Sequence, residues 1–326
     1  MRPTPLAARA ALLLVVALHA ASCGETDPIS SMEVGPPADP AVSYTGIPYG
    51  PYDLWETTTT LQWGPGPFTA SHDNGFLPTT LAQRIAAARQ KRMRLVLAMA
   101  GGPNSVITND KFDLAKWKAR MDRLNTSAIR AAVADGVADG TIVGNKLMDE
   151  PENERWGGVP TKAMIDEMAT YGKRIFPTLP MGVGHSASGF KWRAADRYRV
   201  LDWVVVQYAS HYNNGDVTTW RDQVLGFARN NGVRPAFSLN ILNGGARDQT
   251  GAWDCPGTGG KGTRTTYCRM TADQVRTYGR AIGPSGCVLL MWRYDDAFMA
   301  KATNQSAFSD VASLLNSKPR PSCRRP

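Results

Sequence analysis

Two adjacent acids close an apolar run in the stretch "GTIVGNKLMDEPENERWGG", Gly140 to Gly158. Asp149 and Glu150 stand directly before Pro151, which cannot continue a strand ladder. A buried strand ending in carboxyl groups presents an acid at a pocket mouth, and two carboxyls side by side repel one another's charge. Partial burial adds to that repulsion and raises the proton affinity of one member, the property a general acid needs at neutral pH. Glu150 is the candidate general acid/base and Asp149 its partner. Successive strand residues face opposite ways, so both reach one pocket only if the strand end bulges or twists.

The elements that would carry these acids recur as short apolar runs: "RLVLAMAGG", "TIVGNKLMDEP", "MGVGHS", "LDWVVVQYAS", "RPAFSLNILNGG" and "CVLLMWRYDD". Helical patterns fall between most of them. Thr80 with Gln83, and Thr271 with Gln274, have capping-box spacing, and Met164, Met168, Tyr171 and Ile175 form an apolar stripe, as do Trp220, Val224 and Phe227. Counting "TGIPYGPY" first and placing one irregular early strand in "TTTTLQWGPGPFTAS" gives eight strands. The fold class is α/β, a single (β/α)8 TIM-type barrel over residues 44–318. An open doubly wound sheet would carry a glycine-rich phosphate turn after its first strand, and none is present.

A barrel gathers its site at the carboxyl ends of its strands. Those ends hold Tyr52, Asp53 and Trp55; Gly101 and Gly102; Asp149 and Glu150; His185; Gln207 and Tyr208, with His211 beyond; Asn240 and Asn243; and Trp292, Arg293 and Asp295. The substrate-binding candidates are Asp53, Trp55, His185, Gln207, Tyr208, Asn240, Trp292 and Asp295. Trp63, Trp156 and Trp253 also fall in or near loops, where their rings offer flat apolar faces to a ligand.

With these residues in view, the chain resembles barrel glycoside hydrolases. "RLVLAMAGG" and "GTIVGNKLMDEP" look like the third and fourth strands of that group, and the Asp-Glu-Pro triplet is similar to an Asn-Glu-Pro whose glutamate is the acid/base. "VVVQYAS" and "VLLMWRYDD" look like the sixth strand's tyrosine and the eighth strand's tryptophan, which lie around the reacting sugar. The resemblance implies an enzyme acting on O-glycosyl bonds of an oligo- or polysaccharide, with carbohydrate as partner. The seventh strand departs from the pattern, because Asn240 and Asn243 stand where a second carboxylate is usual and an amide cannot replace it. Asp53 or Asp295 could supply that carboxylate, an acetamido group on the substrate could attack in its place with Asp149 and Glu150 dividing the work, or the barrel could bind sugar without hydrolysing it.

The remaining features concern location. Arg2 and Arg9 precede the apolar run "ALLLVVALHA", and small residues follow, so residues 1–22 read as a secretory signal. Cys23 after Ala20-Ala21-Ser22 resembles the lipobox cysteine of bacterial lipoproteins, which implies a lipid anchor in the cell envelope, with plain secretion as the alternative. Residues 23–43 are a polar, proline-bearing tether, and residues 319–326 a basic tail.

The formal charge of +9 loses two arginines with the signal, and the rest is scattered among acids, which argues against a nucleic-acid footprint. The chain reads as a monomer without a cofactor. Its histidines, His72, His185 and His211 after the signal, show no metal-ligand spacing.

Four cysteines follow Cys23, and export permits their oxidation. Three pairings exist. Cys255 and Cys268 bracket a glycine-rich loop and are the expected first pair, which leaves Cys287 with Cys323. Cys287 opens the last strand, and a closing helix bearing Phe308, Val311, Leu314 and Leu315 would return Cys323 to the same, amino end of the barrel.

Overall fold

The computed structural model describes residues 44–54, 67–74, 76–210, 216–245, 268–319 and 321–326. In chain order the elements are β1 (Tyr49–Pro51), β2 (Ala70–Asn74), α1 (Pro78–Gln90), β3 (Arg94–Ala98), a small hairpin of β4 (Ile107–Thr108) and β5 (Lys111–Phe112), α2 (Leu114–Arg123), α3 (Ser127–Asp139) and β6 (Ile142–Asp149). They continue with α4 (Lys162–Ile175), β7 (Met181–His185), β8 (Trp203–Tyr208), α5 (Val217–Asn231), β9 (Arg234–Asn240), α6 (Ala272–Ile282), β10 (Leu289–Trp292), α7 (Asp296–Met299) and α8 (Ala302–Asn316).

Eight strands form one parallel sheet in the order β1-β10-β9-β8-β7-β6-β3-β2. A parallel bridge between Tyr52 and His72, with the Asp53 amide donating to the His72 carbonyl at 3.1 Å, joins the two outer strands and closes the ring. The expected (β/α)8 barrel is therefore present. Its irregular early strand lies at the very end of the segment in which it was anticipated, sharing only Ala70 and Ser71 with "TTTTLQWGPGPFTAS".

Helix starts follow local chemistry. The Thr271 hydroxyl accepts from the Gln274 amide at 3.2 Å, and the Gln274 side chain accepts from the Thr271 amide at 3.1 Å, the anticipated box. At α1 the expected box from Thr80 is displaced by one turn. Pro78, whose fixed φ suits the first helical position, starts the helix, and the Thr80 hydroxyl serves the Leu77 amide at 3.2 Å.

Apolar packing divides in two. The larger cluster fills the space between strands and helices with Leu81, Ile85, Trp117, Ile165, Met168, Trp220, Val224, Phe308 and Val311 among others. The smaller lies inside the barrel and joins Tyr52, Val96, Trp203, Val205, Ala236, Val288 and Leu290 to Cys287 and Cys323. Trp203 occupies the lower interior because its neighbours on β6 and β7 are glycines. A Cβ on Gly182 would fall 2.1 Å from its ring, and one on Gly144 would fall 2.7 Å from its Nε1.

Cys287 and Cys323 are disulfide-bonded with α-carbons 5.3 Å apart, at the amino end of the barrel as anticipated. The tail beyond is held by Arg325, which donates to the Leu201 carbonyl at 2.9 Å, and by Arg324, which donates to Thr178 at 2.7 Å. Cys268 is also disulfide-bonded, while Cys255 lies outside the described residues, as do Cys23 and the expected signal and tether.

The bond between residues 36 apart restricts the unfolded chain by roughly 4 kcal/mol on a loop-entropy argument. C323A should therefore lower the midpoint of denaturant unfolding and free the tail to proteolysis. Equal midpoints for the wild type and C323A under oxidising conditions would remove this account of the tail.

Candidate active site at the carboxyl end of the barrel

A cavity of about 140 Å³ opens at the carboxyl ends of β1, β2, β3, β6 and β10. Tyr52, Asp53, His72, Lys146, Asp149 and Arg155 give it polar walls, and Trp156 and Trp292 give it aromatic ones. A larger hollow of about 1090 Å³ lies outside the barrel beside α4 and the end of α5, where Arg325 of the tail rests, and neither Asp53, Asp149 nor Glu150 lines it.

The end of β6 has the irregularity that the paired acids require. Its register with β7 shifts between Lys146 and Asp149, so these residues, three apart, meet on one side. The Lys146 ammonium donates to Asp149 at 2.8 Å and lies 4.5 Å from the centre of the Tyr52 ring. Glu150 then adopts φ 49°, a left-handed conformation uncommon for a non-glycine residue, while its amide donates to Gly184 at 2.8 Å. The turn is fixed by Trp156, whose indole N–H lies 2.9 Å from the carbonyls of both Asp149 and Glu150.

The electrostatics separate the acids. Burial works against the charge of Asp149, but the Lys146 ammonium, with Arg155 at 3.3 Å and His72 nearby, brings its carboxyl down to about 2. Glu150 is shifted the other way, first by burial and then by the Asp149 charge. Its carboxylate lies 3.4 Å from Asn153 and 3.7 Å from Arg155, beside the cavity and not in its wall. Asp53, held at φ 57° and accepting from Asn74 at 3.1 Å, does line the cavity, and burial raises its proton affinity against the pull of Arg293 and Lys146. The cavity thus contains one carboxyl held ionised and one whose proton is held more tightly.

Other anticipated residues lie elsewhere. Tyr208 faces the helices, its ring 5.0 Å from Trp220 and 4.8 Å from Tyr278, because the two-residue period of β8 turns Gln207 inward instead. Gln207 accepts from Asn240 at 3.0 Å, and the Asn240 side chain caps the amide of Asn243, so these amides serve one another. His185 is fully buried between Glu152 at 3.0 Å and the Tyr198 hydroxyl at 3.1 Å. Asp295 caps α7 through the Phe298 amide at 2.8 Å and does not line the cavity. Trp55, Trp63, Trp253 and His211 lie outside the described residues.

Three residues enter the site without having been singled out for it: His72, Lys146 and Arg155. Lys146 had a visible signal, a charge in the middle of an apolar strand; His72 had none, because every residue of its strand after Ala70 is polar. Among the described residues no group of three or more His, Cys, Asp or Glu side chains could hold a metal ion.

No protein-family model matches the sequence, and no curated protein does. Solved structures are similar in fold. A thermostable mutant of a xylanase from Cellvibrio japonicus superposes with a TM-score of 0.50 at 10% identity, over 85% of this chain and 99% of that one. The likeness is one of fold, a (β/α)8 barrel. An endo-β-1,4-mannanase from Thermotoga petrophila gives 0.49 at 11% identity over 84% and 77% of the two chains, and a β-mannanase from Alicyclobacillus acidocaldarius gives 0.46 at 12% over 85% and 99%.

The Lys146 pair sets a pH dependence. Asp149 has a folded pKa below its ordinary value, so the pair contributes stability above that ordinary value and loses it as pH falls through about 2. In K146M the Asp149 carboxyl should titrate well above about 2 by ¹³C NMR. An unmoved midpoint would show that Lys146 does not hold the charge.

Proposed function

We propose that this barrel hydrolyses glycosidic bonds of an oligo- or polysaccharide outside the cytoplasm, anchored to the envelope through a lipid on Cys23. The observation that carries the reading is the cavity itself. It combines two carboxyl groups, on β6 and just after β1, with the rings of Trp156 and Trp292 at the end of a barrel where such sites form. Sugar faces stack on aromatic rings, and two carboxyls flanking the bond are what ordinary glycoside hydrolysis needs.

Their roles follow from their proton affinities. Asp53, whose proton affinity burial raises, is the acid: it gives a proton to the departing glycosidic oxygen as the carbon–oxygen bond breaks. Asp149, fixed as an anion, faces the positive charge that develops at the anomeric carbon. Water adds to that carbon, and its proton returns to Asp53. Lys146 keeps Asp149 ionised and in place, while Arg155 closes the other side of the carboxylate.

A second reading gives the acid role to Glu150, with a substrate acetamido group attacking while Asp149 orients it. The raised proton affinity of Glu150 and the bulge beneath it favour this version, which requires an N-acetylated sugar. The position of Glu150 beside the cavity wall favours the first.

Three variants separate the readings on a panel of 4-nitrophenyl glycosides that includes N-acetylglucosaminide. D53N and D149N should each lower kcat/KM by at least about 10²-fold, while E150Q leaves it nearly unchanged. D53N and E150Q should melt near the wild-type temperature, whereas D149N, which leaves the buried Lys146 ammonium without its partner, should melt lower and is assayed well below its own midpoint. Loss in E150Q with D53N unaffected, on the N-acetylated substrate alone, would establish the second reading instead. Wild-type protein that binds oligosaccharides and cleaves none would make the barrel a carbohydrate-binding envelope protein.

A further inference from the structure

At the floor of the cavity His72 is 2% exposed, and neither ring nitrogen has a hydrogen-bond partner. A buried polar atom without a partner costs about as much as a lost hydrogen bond, so two on one ring need an explanation. The ring is fixed by its strand on one side and by Tyr52, at 4.3 Å between centroids, on the other. Burial first, and Lys146 second, hold it neutral. A neutral imidazole has one donor and one acceptor nitrogen, and a hydroxyl group can satisfy either.

The surrounding charges define what can approach. The Asp149 carboxylate repels an anionic group, and the Lys146 ammonium is already engaged by Asp149. A carboxylate or phosphate would therefore enter against that charge, with Lys146 and Arg155 both already bonded to Asp149, whereas a hydroxyl meets no such penalty. Asp73, the next residue along β2, faces the other way and is bonded to Arg84 of α1, so the strand presents His72 and Asn74 to the cavity, and the Asn74 amide is engaged in donating to Asp53.

We infer that His72 reads a hydroxyl of the innermost sugar ring, and that this ring is uncharged at the position read. The inference rests on the carbohydrate reading of the cavity and specifies its ligand class. His72 is a specificity-determining residue here, with no part in proton transfer.

The test uses the whole protein and does not depend on turnover. Wild type and H72F are titrated calorimetrically with xylobiose, mannobiose, cellobiose and diacetylchitobiose, and the disaccharide that binds is then presented as its monodeoxy derivatives. One deoxy position should weaken wild-type binding by about tenfold and leave H72F changed by less than about twofold, since the lost hydroxyl then has no partner to lose. Equal losses in the two proteins at every position would overturn the role of His72 and leave the sugar reading standing. No binding of any of the four would overturn both. Should H72F fail to fold, the ¹⁵N imidazole resonances of the wild type, assigned by comparison with H72Q, carry the same test. His72 signals that shift on saturation support the contact, and unmoved signals at saturation refute it.

Discussion

The upper half of the barrel is organised around one buried ammonium. Lys146 has a side chain only 5% exposed, and an unpaired charge there would cost several kcal/mol. Asp149 on the same strand supplies the bonded partner, and Asp53, just after β1, adds a second carboxyl within its influence. A regular strand would turn residue 149 to the opposite face of residue 146. The register shift between them is therefore a condition for burying the lysine, and the rest of the strand end follows from it. Glu150 is driven into a left-handed turn, the carbonyls it frees are taken up by the Trp156 indole, and Arg155 is brought against the outer oxygen of Asp149.

Below this level the interior is apolar and tight. Trp203 fills the space that two glycines leave, and the Cys287–Cys323 bond closes the amino end. The two halves divide the usual burdens of a barrel. Packing in the lower half is insensitive to pH, while the upper half holds ionisable groups whose charges depend on one another. Raising the pKa of Asp149 by removing Lys146 would also relax the restraint on Asp53, since each feels the other's charge through the same small volume.

The sequence made most of the barrel legible because seven of its strands are marked by apolar residues or by the turn chemistry around them. The exception, β2, reads Ala-Ser-His-Asp-Asn, and its polarity is a consequence of its position: His72 faces the cavity and Asp73 pairs with Arg84 on the helix side. Neither face of that strand is an ordinary apolar one, so hydrophobic periodicity had nothing to report. The misplacements at the site have a different origin. Strand ends were legible, but the side each residue faces was not, and a one-residue difference in facing separates Gln207 from Tyr208. His185 was visible as a strand-end residue, whereas the partner that engages it, Glu152, comes from the loop after β6 and is out of reach of any local pattern.

The departure at the seventh strand acquires a physical reading in this light. Asn240 binds Gln207 and caps Asn243, which makes the end of β9 a set of neutral amides tied to one another. A carboxylate there would have to be charged without a cation, because the lysine of the interior is already committed to Asp149. Asp53 avoids that difficulty. It stands just after β1, within the influence of both Arg293 and Lys146, while burial raises its proton affinity against their pull. The second carboxyl of the cavity thus sits where the available positive charge can tolerate it, on the opposite side of β10 from the position where the resemblance placed one.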